Sequence, residues 1–119
     1  MGQIKKMAFS GSWYPSDPSD CRQSIFGYLS EKQGPLSGDF LGGIVPHAGW
    51  FFSGSIACRV IASLANRTGV DVVVLYGGHM HPGADIRLLG QGQVETPFGN
   101  MDVAEGLAET LAARLPLRS

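Results

Sequence analysis

Charge is scarce in this sequence. Only 16% of its 119 residues are charged, against about a quarter in ordinary globular domains, and nine basic residues facing ten acidic ones leave a net charge of −1. That balance offers no electrostatic footprint for nucleic acid or an anionic membrane, so neither partner is expected. Cysteine is scarce too. Cys21 and Cys58 form no CxxC pair, and the first dozen residues lack the apolar core of a signal peptide, which together point to a cytoplasmic setting. No apolar run is long enough for a membrane span, and there are no internal repeats or low-complexity segments. Disorder is excluded by a hydrophobic share of 44%. The 17 glycines follow no Gly-X-Y period, so collagen is excluded and loops with close backbone approaches are expected. The length suits one domain, taken as residues 1–119.

Helix signals open the chain. Asp17 is placed to cap a helix with Pro18 at its first position, and Cys21, Ile25, Phe26, Tyr28 and Leu29 recur at spacings of three and four until Gly34 and Pro35 break the pattern, which predicts a helix over about 18–32. The apolar run 40–45 and the β-branched run 70–76 read as buried parallel strands. Between them Ile56, Ala57, Val60, Ile61 and Leu64 form a helical stripe, beginning near Ser53 and Gly54 and ending near Asn66. The spacing therefore predicts a right-handed strand–helix–strand crossover. Further on, 86–89 and 93–96 alternate weakly, Pro97, Phe98, Gly99 and Asn100 look like a turn, and Met101 and Val103 alternate again, which reads as a meander. Leu107, Ala108, Leu111 and Leu115 mark a last helix, with Asp102 and Glu105 as a candidate capping box.

In a parallel crossover the loops leaving the two strands emerge on one edge of the sheet, where ligands of open α/β folds bind. Here those loops are 46–50 and 77–83, and they hold all three histidines: His47, His79 and His81. Neighbouring strand ends lie about 5 Å apart, so His47 and one of the other two are candidates to share a metal ion. Imidazole suits Fe, Zn, Cu and Ni alike. A lone loop histidine is more often a backbone hydrogen-bond partner, but three confined to two convergent loops favour a site. Asp85 and Glu95 are the carboxylates nearest that edge; solvation suits Asp85, and Glu95 before a turn suits either a ligand or a partner for loop amides. Ser53, Gly54 and Ser55 read as an ordinary helix cap rather than an anion site. The aromatics Trp13, Tyr14, Trp50, Phe51 and Phe52 suit a substrate wall or core packing equally well. Cys21 and Cys58, both within helical stripes, read as small hydrophobes.

Four segments in order carry a resemblance: Gly11-Ser12-Trp13-Tyr14, then Pro46-His47-Ala48-Gly49-Trp50 with Ser53-Gly54 behind it, then a Gly-x-x-x-His segment after the β-branched run, then Glu95-Thr96-Pro97-Phe98-Gly99. On these the chain resembles the Memo family, whose members look like the class III extradiol dioxygenases that use non-haem iron. The resemblance runs from Phe9 to Leu111. It implies an α/β fold, a three-layer domain with a parallel or mixed central sheet, and a mononuclear divalent metal site. His47 and His81 would be metal ligands, with Fe(II) the first choice and Zn or Cu the alternatives. His79 is the sole candidate for an acid/base histidine, and the family's Ser-His-His is altered here to His79-Met80-His81. Ala104 stands where the family tends to have a helix-starting Asp. Memo-like proteins run to more than twice this length and draw a third metal-site residue, a Cys or an acid, from the remainder, so this chain is expected to be an N-terminal portion of such a domain. The resemblance thus implies a metal-binding, dioxygenase-like oxidoreductase with a small-molecule substrate. The rival is a non-catalytic adaptor binding a protein or peptide on the same fold, and an unpaired sheet edge would invite a homo-oligomer.

Overall fold

The computed structural model describes residues 2–31, 34–65, 69–79 and 81–117. Its elements are β1 (Ile4–Lys5), α1 (Pro18–Leu29), α2 (Trp50–Ala65), β2 (Gln93–Thr96), β3 (Gly99–Asp102) and α3 (Glu105–Arg114). The chain divides into two compact units, Ala8–Val70, and Met1–Met7 together with Asp71–Ser119.

The helical unit, Ala8–Val70, packs α1 on α2. Asp17 caps α1 as expected, its Oδ1 accepting from the amides of Ser19 at 2.8 Å and Asp20 at 3.1 Å. The helix closes at Leu29, short of the expected 32: Ser30 makes the last bond to the carbonyl four back, its amide and hydroxyl both donating to Phe26, and the Glu31 amide donates only three back, to Tyr28; Lys32 lies outside the described residues. Cys21, fully buried, donates its thiol to the Pro15 carbonyl at 2.9 Å. α2 begins three residues before the expected Ser53, since Gly49 already accepts from the amides of Phe52 and Ser53. Its expected end at Asn66 lies outside the described residues. The helices approach closely because position 54 is glycine: a Cβ there would stand 2.7 Å from the Tyr28 ring. Towards the end of α2, Arg59 Nε donates to the Gly34 carbonyl, and Ser63 accepts from the Leu36 amide, tying 34–36 to the helix.

The second unit holds a three-stranded mixed sheet in the order β1-β2-β3. β1 runs parallel to β2 with Ile4 opposite Gln93, and β2 runs antiparallel to β3 from Gln93 opposite Asp102 to Thr96 opposite Gly99. The hairpin expected around residues 97–100 forms. Thr96 accepts from the Phe98 amide and donates to the Gly99 carbonyl at 2.7 Å, while Gly99 takes a φ of 117°, which strongly favours glycine. Asp102 belongs to β3, so the capping box it suggested is replaced by a start at Ala104, which makes no side-chain cap. Glu105 turns instead to the Gly92 amide, accepting at 2.9 Å.

The expected crossover is corrected. Neither 40–45 nor 70–76 forms a strand, nor does 86–89, and the sheet is built from β1 and the 93–102 hairpin. A strand is held by ladder bonds to a neighbour, and among the described residues neither long run has one. Their side chains face outward: Ile44 is 93% exposed and Tyr76 94%. Among the described residues the elements are accordingly those of a small α/β protein, three helices and a three-stranded mixed sheet.

Candidate functional site

His47 sits on the loop that feeds α2, and that loop is held at three points. The Trp50 amide donates to the Trp13 carbonyl at 2.9 Å, the Tyr28 hydroxyl donates to the Trp50 carbonyl at 3.1 Å, and the Ser53 hydroxyl donates to the Ala48 carbonyl at 2.9 Å. Gly49 lets the backbones meet, because a Cβ there would stand 3.4 Å from the Trp13 carbonyl oxygen. The Trp50 ring lies 5.6 Å from Tyr14 and 6.4 Å, edge-on, from Tyr28. Trp13 is itself fixed by a tight turn in which its amide and that of Ser12 donate to the Phe9 carbonyl, and Gly11 donates to Tyr14 at 2.8 Å with a φ of 81°. Two motifs far apart in sequence, 11–14 and 46–50, therefore form one packed feature, and His47, on the second of them, is exposed.

Within this feature the aromatics divide. Trp50 and Tyr14 are half-buried packing residues, whereas Phe51 and Phe52, stacked edge-on at 5.1 Å, are 91% and 79% exposed. Ser53 is no helix cap: it lies inside the first turn and gives its hydroxyl back to the loop. An open groove of about 350 Å³ in the same unit is lined by Leu36, Phe40, Ile44, Ile56, Val60 and Leu64, with no histidine among its described lining residues.

The other two histidines belong to the sheet unit, both exposed. Their loop turns through Gly78 and Gly83, with φ values of 103° and 80°, and the His81 carbonyl accepts from the Ala84 amide at 2.9 Å. Met80 lies outside the described residues. Glu95 has a structural task. It accepts from the Met7 amide at 3.1 Å and from Lys6 Nζ at 3.4 Å, fastening the chain just after β1 to β2. The Met7 bond, the largest effect, holds its carboxyl below the usual range; desolvation opposes it, and the charge and hydrogen bond of Lys6 add to it. Asp85 is exposed. Both thiols are pushed up, Cys21 by burial and then by Asp17 and Asp20, Cys58 by burial and then by Glu31, so each is a poor nucleophile. Among the described residues no three His, Cys, Asp or Glu side chains gather closely enough to hold a metal ion. No helix of the described residues is long and apolar enough to cross a membrane. The roles of Tyr28 and Ser53 were hidden in the sequence, and the small residue at 54, opposite the Tyr28 ring, is the signal that pointed to close packing there.

Comparison with known proteins covers nearly the whole chain. A MEMO1 family protein of Pyrobaculum aerophilum is 33% identical over 119 aligned residues, spanning 93% of this chain and 42% of that protein. One from Thermoplasma volcanium is 34% identical over 110, spanning 91% and 40%, and one from Nitrosopumilus maritimus is 29% identical over 114, spanning 92% and 42%. The chain thus spans about two fifths of the length of these relatives. The sequence profile of the family described as Memo-like protein matches residues 5–119, and the chain belongs to that family.

Proposed function

We propose that this chain contributes part of a divalent metal centre of a dioxygenase-like oxidoreductase, on a three-layer extradiol-type α/β scaffold working in the cytoplasm. His47 and His81 are the imidazole donors and His79 the acid/base residue. The observation that carries the proposal is the fixed backbone behind His47, held through Trp13, Tyr28 and Ser53, which spares a ligand the cost of ordering. Neutral imidazoles suit Fe(II), Zn and Cu, so the donor chemistry fits, while two donors without a described third fit only a weakly held ion. When bound, such an ion supplies Lewis-acid or redox chemistry to a small phenolic substrate. The chain's own residues orient: the 46–50 loop aims one donor, and the 77–83 loop carries the second together with His79.

The test is calorimetric titration of the chain, His47→Ala and His81→Ala with Fe(II) under argon, paired with oxygen uptake on catechols. Weak binding lost in both variants, without uptake by this chain alone, is the expected result. Binding indifferent to both substitutions overturns the assignment. The exposed Phe51 and Phe52 pair favours a second reading, an adaptor that grips an apolar peptide beside the same loop. Pull-down of one defined peptide, lost in Phe51→Ser/Phe52→Ser and indifferent to His47→Ala, would replace the metal reading with that one.

A further inference from the structure

Two serines of α2 share the same burial, each 5% exposed, and differ in what they hold. Ser63 donates to the Arg59 carbonyl at 2.7 Å, the ordinary back-bond of a helical serine, and accepts from Leu36. Ser53 also touches the carbonyl four residues back, Gly49, at 3.3 Å, but its shorter bond, 2.9 Å, reaches five back to Ala48, outside the helix. The Ala48 carbonyl belongs to the peptide plane that begins one residue after His47. On the other side of His47 stands Pro46, whose ring fixes its own φ. Holding the Ala48 carbonyl thus removes one source of backbone freedom beside His47, so that the direction in which the imidazole leaves the backbone depends on fewer torsions, those of His47 and Ala48 and the ψ of Pro46.

We propose that Ser53 is the positioning residue of His47: its hydroxyl locks the loop so that the imidazole is presented in one direction before any ligand arrives. The inference rests on His47 being a donor, as proposed above, and extends that reading to a residue that touches neither metal nor substrate. The two serines differ in their shorter bond: Ser63 gives its hydroxyl to the carbonyl four residues back at 2.7 Å, whereas Ser53 meets that carbonyl only at 3.3 Å and gives its 2.9 Å bond to Ala48.

The experiment compares the wild-type chain with Ser53→Ala, Ser53→Thr and Ser63→Ala, using Cu(II) alone as the probe and subtracting the binding that survives when His47→Ala is added to each. Amide hydrogen exchange of residues 48–50 and thermal melting are recorded on the same samples. Ser53→Ala should lower the His47-dependent affinity about tenfold, the lower end of what outer-sphere losses cost a metal ligand, and speed exchange at the Trp50 amide. Ser53→Thr, which keeps the hydroxyl, should restore both. Ser63→Ala should lower the melting temperature with the affinity intact. An equal loss of affinity in Ser63→Ala, or a Ser53→Ala chain with wild-type affinity and exchange, overturns the proposal. If the wild-type chain shows no His47-dependent Cu(II) binding, the metal reading fails, and exchange at 48–50 alone decides whether Ser53 locks the loop.

Discussion

Replacing Gly54 with alanine probes the joint on which the His47 loop rests. In an isolated helix the change would stabilise by about 1 kcal/mol, because alanine loses less backbone entropy than glycine. Here the new Cβ would lie 2.7 Å from Cε2 and Cζ of Tyr28 and 2.8 Å from its hydroxyl. The ring tip can retreat only by giving up its 3.1 Å bond to the Trp50 carbonyl and its edge contact with the Trp50 ring. Overpacking costs about 1–3 kcal/mol and the lost bond about 1, so after the propensity gain the net destabilisation is about 1–3 kcal/mol. In a small domain that lowers the melting temperature by roughly 5–15 °C. Urea unfolding followed by tryptophan fluorescence gives the free energy directly. A second background sharpens the sign: Tyr28→Leu removes the three atoms the new Cβ meets, and in it Gly54→Ala should stabilise by about 1 kcal/mol. Stabilisation in both backgrounds would refute the close-packed joint.

Asp17→Ala removes the acceptor for the Ser19 and Asp20 amides and should cost about 1 kcal/mol by urea denaturation, with α1 losing protection first in hydrogen exchange. Glu95 titrates below its ordinary value of 4.5, so the stability it contributes is present above that value and is lost as pH falls through the lowered one. Glu95→Gln should accordingly reduce the acid-side fall in the urea midpoint between neutral pH and about pH 3, and an unchanged profile would show that the Met7 and Lys6 contacts do not form in solution.

Local signals were legible where the cause is local. The Asp17 cap with Pro18 and the turn at Pro97 and Phe98 appear where the sequence placed them, because each depends on residues within a few positions. The stripe from Ile56 to Leu64 located α2, though not its start, since Gly49 closes the first turn without any polar cap to announce it. The runs 40–45 and 70–76 misled for a physical reason: an apolar or β-branched stretch records a demand for burial, and strand formation needs a ladder partner that the stretch itself cannot specify. Of the candidate site, the histidine loops were legible as residues. The support of the His47 loop was not, because Trp13 and Tyr28 reach Trp50 from segments far off in sequence, and Ser53 gives its hydroxyl to Ala48, outside the helical ladder. β1 was also hidden, two residues long and recognisable only through its parallel register with β2.

The proposed sharing of one metal ion by His47 and His81 is read out in the nitrogen couplings of bound Cu(II). Pulsed electron paramagnetic resonance of the chain loaded with one equivalent of Cu(II) should show two coordinated imidazoles in the wild-type chain and one in each of His47→Ala and His81→Ala. A single imidazole in the wild-type chain, or a spectrum that neither substitution changes, would exclude a shared ion.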